Sequence, residues 1–79
     1  MSVRVLFFGA TAAAAGIRET YVEVADSSKV AAVTNLVIGH HPALEGHKLL
    51  FSVNQEYAER DACISDGDEL AIFTAVSGG

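Results

Sequence analysis

Gly78 and Gly79 close this 79-residue sequence, so that a carboxylate is carried on two consecutive glycines. Glycine has no Cβ, and such an end can pass extended through a channel that would exclude any side chain. Val76 and Ser77 lead into it, and four extended residues would carry the carboxylate roughly 13 Å beyond a folded domain. The chain then reads as a holder for its own C-terminus. The competing reading is a frayed end, since termini are usually disordered unless tied down.

Other residues invite chemistry less persuasively. His40, His41 and His47 raise the idea of a metal, yet they fall at a helix exit and loop with no cysteine nearby and no i, i+4 pair. Zinc wants four organised ligands, or three plus water, so no metal site is expected and the three read as solvated loop histidines. Asp66-Gly67-Asp68 lacks the spaced carboxylates of a calcium loop and reads as a turn in which Gly67 supplies the conformation. Cys63 is the only cysteine, which rules out an intramolecular disulfide; it is expected to be a small buried hydrophobe. Gly9 to Gly16 contains no lysine and cannot be a Walker phosphate loop, so any ATP must be bound by another protein.

The composition bounds the rest. Seventy-nine residues allow one domain, and 51% apolar against 19% charged residues is rich for so small a monomer, leaving apolar surface for a partner. A formal charge of −5 argues against nucleic acid or an anionic membrane and favours a basic partner surface. The Met1 to Ala15 stretch resembles a short signal peptide, but Arg4 is its only charge and Gly9 and Thr11 interrupt the apolar run. That run is also too short to span a bilayer. With a single thiol, a reducing cytoplasm is the expected compartment.

The elements that must hold the terminus follow from periodicity. Val3 to Phe8 is β-branched and aromatic and reads as a first strand, apolar on both faces. Gly9 to Gly16 is a loop or short helical turn. Thr20 to Ala25 alternates and pairs with the first strand as a hairpin. Asp26-Ser27-Ser28 offers an N-cap for a helix over 29–38, with Val30, Val33, Leu36 and Val37 as its apolar stripe and Gly39 as C-cap. Leu49 to Val53 is a strand, Asn54 enters a turn at positive φ, Tyr57-Ala58 begins a short return strand, and Glu69 to Val76 is the last. Leu70 and Ile72 face the core; Phe73 points away, with Phe7 as its expected neighbour in one exposed patch. This is an α+β arrangement, a mixed sheet with one packed helix.

Three blocks, Val3-Arg4-Val5-Leu6-Phe7-Phe8, Val53-Asn54-Gln55-Glu56-Tyr57 and the run from Asp66 to Phe73 leading into Val76-Ser77-Gly78-Gly79, give the chain a resemblance. It resembles the small subunits of molybdopterin synthase, sulfur carriers with the ubiquitin-like β-grasp fold. The resemblance covers essentially the whole length, and the final block is its specific part.

The resemblance implies a β-grasp domain over residues 1–75 and a flexible tail over 76–79. It implies that a ubiquitin-activating-like adenylyltransferase uses ATP to adenylate Gly79, and that a sulfurtransferase carrying a persulfide converts it to a thiocarboxylate. The tail, Gly78 and Gly79 foremost, then enters the large synthase subunit and gives sulfur to a pyranopterin precursor of the molybdenum cofactor. Two donations per product suit a heterotetramer. On this view the chain binds no cofactor and is no enzyme by itself. Phe7, Tyr57, Phe73, Val76 and Ser77 fall where the family meets its partners. Thr74-Ala75 stands where Pro-Pro is common, which implies a less rigid approach to the tail. Residues 10–16 lack the family's arginine, and Cys63 replaces a common proline. Alternatives are a carrier for thiamine, another metabolite or tRNA thiolation, and a ubiquitin-like protein modifier, because one scaffold hosts all of them.

Overall fold

In the computed structural model, which describes residues 1–75, the chain runs β1 (Ser2–Phe7), α1 (Ala10–Ala15), β2 (Glu19–Glu23), α2 (Val30–His40), a 3-10 turn (Pro42–Leu44), β3 (Leu49–Val53), β4 (Glu56–Ala58) and β5 (Glu69–Thr74). The sheet order is β2-β1-β5-β3-β4. β1 and β5 are parallel and every other pairing is antiparallel, so the sheet is mixed as the α+β reading requires. The expected 76–79 tail lies outside the described residues.

Alternation sets the core. Val3, Val5 and Phe7 of β1, Leu49 and Phe51 of β3, and Leu70 and Ile72 of β5 share one face and are buried. Val30, Val33 and Val37 of α2 close over that face, joined by Leu44 and Ile64. Thr34 is buried with this stripe, whereas Leu36 lies beside it and is partly exposed.

α2 differs from its sequence reading at both ends. Gly39 lies inside the helix, which runs on to His40. The stop comes at His41, because a residue before proline is driven out of the helical region; its φ is −133° and Pro42 follows. At the N-terminus no side chain of Asp26-Ser27-Ser28 caps the helix. Ser28 Oγ donates to the Ala25 carbonyl at 2.6 Å instead. The orphan amides of the first turn are met from a distant loop: Val30 N–H donates to the Ala62 carbonyl and Ala31 N–H to the Arg60 carbonyl, each at 2.9 Å. The 60–64 segment is thereby tied to α2, with Ile64 buried and Cys63 exposed, a correction to the burial expected of Cys63.

The open question at residues 9–16 resolves as α1, ended by Gly16 at φ 76°, a left-handed cap that glycine adopts without strain. Asn54 and Gln55 both take positive φ, 51° and 71°, as a two-residue primed turn between antiparallel strands demands. The acidic cluster is occupied in building turns. Asp66 Oδ1 accepts from Ser2 N–H at 2.7 Å, and Asp68 Oδ2 from Ser65 N–H at 2.8 Å. Asp68 Oδ1 accepts from Asn54 Nδ2 at 3.0 Å, and Asn54 Oδ1 in turn accepts from Glu69 N–H at 3.0 Å. These bonds fix where β5 begins.

Candidate partner face and approach to the C-terminus

The face of the sheet turned away from α2 is built by the other half of each alternation. Register places Arg4 beside Glu69, Leu6 beside Ala71, Ala71 beside Ser52, and Phe73 beside Leu50. Ser52 pairs in turn with Tyr57 of β4. An apolar band therefore crosses the sheet from Leu6 through Ala71 and Phe73 to Leu50 and Tyr57, on the side turned away from α2. The rings of Tyr57 and Phe73 are 5.9 Å apart at 55°, and Tyr57 is 85% exposed.

Phe7 is not on this face. It is 2% exposed and packs edge-on against His41, ring centroids 5.9 Å apart at 70°. Its expected place beside Phe73 is corrected for a simple reason. Phe7 has the parity of Val3 and Val5, which meet α2, while Arg4 marks the opposite parity as the solvent face. Phe8, just past β1, is the phenylalanine of this stretch that solvent reaches, at 53% exposed. It lines an outer groove with Leu6, Ala12 and Arg18. The signal was present in the sequence, in the single charge of β1.

One edge of the face is polar. Arg4 Nε donates to Glu19, and Arg4 Nη1 lies 3.2 Å from Glu69 Oε2. The hydrogen bond to Glu19, reinforced by nearby negative charge, raises the guanidinium pKa above its ordinary value. Arg4 stays charged and holds two strands beside β1 in register.

The approach to the C-terminus is set by parallel pairing. Because β5 runs with β1, its end lies at the end of the sheet where Phe7 gives way to α1. Thr11, fully buried in α1 and read from the sequence only as a break in an apolar run, reaches across: its Oγ1 lies 2.6 Å from the Ile72 carbonyl and 2.9 Å from that of Phe8. Phe8 N–H donates back to the same oxygen at 3.0 Å. The hydroxyl has one proton, which goes to the shorter contact with Ile72. It thus extends the ladder where β1 has turned away. Thr74 is half-buried and Ala75 exposed. Val76, Ser77, Gly78 and Gly79 lie outside the described residues.

Within the described residues, no group of three histidine, cysteine or acidic side chains is assembled to hold a metal ion. His40 and His41 sit at the end of α2, while His47 lies beyond the 3-10 turn. No described helix is long and apolar enough to cross a membrane.

Comparison with known proteins places these features in a group. The model of the ThiS family matches residues 5–79. The chain is 34% identical over 83 residues to the molybdopterin synthase sulfur carrier subunit of Chlamydomonas reinhardtii, covering 100% of both chains. It is 37% identical to that of Escherichia coli K12, covering 98% of this chain and 99% of the relative. Among solved structures it resembles SAMP1, a small archaeal modifier protein, from Haloferax volcanii, with a TM-score of 0.91 and 31% identity over 100% of both chains.

Proposed function

Because this chain belongs to the ThiS family, we propose that it is the sulfur carrier subunit of a molybdopterin synthase, with Gly79 as the atom-bearing end. The carrying observation is end-to-end similarity to two such subunits, with a family match that runs through Gly78-Gly79. The domain supplies no reacting group of its own. Its work is to present a carboxylate and to be recognised.

The chemistry assigned to the terminus proceeds in three steps. A Gly79 carboxylate oxygen attacks the α-phosphorus of ATP in an activating enzyme, pyrophosphate leaves, and an acyl adenylate results. The terminal sulfur of a sulfurtransferase persulfide attacks the acyl carbon and expels AMP; a thiol then cleaves the sulfur–sulfur bond to free the thiocarboxylate. In the large synthase subunit that sulfur passes to the pyranopterin precursor, and water regenerates the carboxylate. ATP belongs to the activating enzyme, and this chain binds no cofactor. Two small subunits per heterotetramer match two sulfurs per product. The Leu6, Leu50, Tyr57 and Phe73 face is the docking surface, with an apolar centre and charged edge suited to a partner interface. The single, exposed Cys63 agrees with work in the reducing cytoplasm.

Likeness to a small archaeal modifier protein favours one second reading, attachment of Gly79 to lysines of other proteins. Intact mass spectrometry separates the two. The chain is incubated with ATP, activating enzyme and persulfide donor, then with large subunit and precursor. A mass gain equal to sulfur replacing oxygen, lost as molybdopterin forms, is the expected result. A gain that is never discharged would reject the pathway; conjugates with lysine-linked Gly79 and no gain would favour the modifier.

A further inference from the structure

Among the described residues β2 is an edge strand, laddered to β1 on one side with no strand on the other. Phe7 N–H donates to the Arg18 carbonyl and Val24 N–H to the Met1 carbonyl, both at 2.9 Å. Bonding residues alternate along an antiparallel strand, so Thr20 and Val22 also turn inward to β1. The backbone N–H and C=O groups of Glu19, Tyr21 and Glu23 therefore point away from the sheet. The strand is five residues long, with neither proline nor positive φ to blunt it.

Beside this edge lies a groove of about 510 Å³ between β2 and the second half of α2. Thr20, Val22, Leu36, Val37 and His40 line it, and Leu36 is 37% exposed although it belongs to the apolar side of the helix. The two faces of an added strand would meet different chemistry. Its inner side chains would enter the groove against Val22, Leu36 and Val37. Its outer ones would stand beside Glu19, Tyr21 and Glu23; Glu19 already takes the Arg4 guanidinium, whereas Glu23 has no cationic partner among the described residues.

We propose that the β2 edge and the β2–α2 groove bind an extended segment of a partner protein in which basic and apolar residues alternate, adding it as a sixth strand. The groove lies on the α2 side of the sheet and the β2 edge at the opposite end of the strand order from Tyr57 on β4; of the docking face only Leu6, paired with Glu19, borders it. A second copy of this chain is disfavoured as occupant. Two-fold pairing centred on Tyr21 sets Glu19 opposite Glu23 at both ends, like against like, between molecules that each carry −5.

The test uses isotope-labelled full-length chain and an acetylated, amidated heptapeptide alternating lysine and valine. NMR titration is expected to shift the amides of Glu19, Tyr21 and Glu23 together with the Leu36 and Val37 resonances. Glutamate in place of lysine should abolish binding. N-methylating one alternate set of peptide amides should weaken it about tenfold or more, because two or three hydrogen bonds are lost together, while methylating the other set leaves it intact. The sensitive set is the lysines for antiparallel addition and the valines for parallel. Tyr21→Pro removes an outward N–H while sparing both neighbours' bonds to β1, and should reproduce the loss. Equal binding by both methylated peptides, or shifts confined to Leu50, Tyr57 and Phe73, would overturn the proposal. So would a dimer of the chain alone that protects the Tyr21 amide, since a second copy would then hold the edge.

Discussion

Phe7 and Phe73 show how much one step of parity decides. Phe7 fills the core against Ile72 and His41, so Phe7→Ala should cost about 3–5 kcal/mol, a large fraction of the stability of so small a domain. Tyr57→Ala removes an exposed ring and should leave stability within about 0.5 kcal/mol while weakening capture of the large subunit. Urea denaturation beside a binding isotherm tests both, and the assignment of faces fails if the two variants exchange behaviour. Thr11 calls for a separate measurement. Thr11→Val keeps the shape but leaves the buried Ile72 carbonyl without its donor, at about 1–3 kcal/mol, whereas Thr11→Ser should recover most of the loss. Neither Thr11 nor the burial of Phe7 was read from the sequence. Thr11 looked like an interruption of an apolar run, and its partner lies 61 residues away. Phe7 sat on a strand apolar on both faces, where Arg4 alone carried the distinction.

At the scale of elements, what was legible depended on whether the cause was local. β3 was readable from its own residues, as was the positive φ of Asn54, because turn and strand chemistry act over a few positions. The α2 N-terminus was not, since its amides are satisfied by carbonyls of residues 60 and 62 rather than by a neighbouring serine or aspartate. The β3–β4 turn yields a sharp expectation. Gln55 holds φ 71° without a side-chain bond among those described, so Gln55→Gly should raise stability by up to about 1 kcal/mol, the cost of a left-handed residue bearing Cβ. A higher urea midpoint with unchanged slope would register it, and a fall would mean that the side chain supports the turn in another way. The Arg4 ion pairs behave differently. A guanidinium whose pKa is raised contributes fully below its ordinary value and loses that contribution only as pH rises through the higher folded one. The stability difference between the wild-type chain and Arg4→Gln should therefore stay constant from neutral to mildly alkaline pH.

For the whole molecule, holding and reacting are divided along the chain. Among the described residues the buried hydrophobic positions end at Ile72, and Ala75 is already exposed, so the core closes before the residues assigned the chemistry. Deleting Gly78 and Gly79 removes none of those core positions, and the melting temperature should move by no more than about 0.5 kcal/mol implies for a domain of this size, a few degrees. Thiocarboxylate formation should vanish. Gly79→Ala refines the argument, because it keeps a carboxylate at the same distance and adds only a Cβ. If a narrow passage in the activating enzyme is the reason for glycine, this variant folds normally yet loads sulfur far more slowly. Loading of Gly79→Ala at the normal rate would mean that the partners read the outer sheet face alone. Tyr57→Ala supplies the opposite lesion, with an intact terminus on a weakened dock. It should raise the concentration needed for half-maximal loading while leaving the saturated rate nearly unchanged, whereas Gly79→Ala should lower the saturated rate itself.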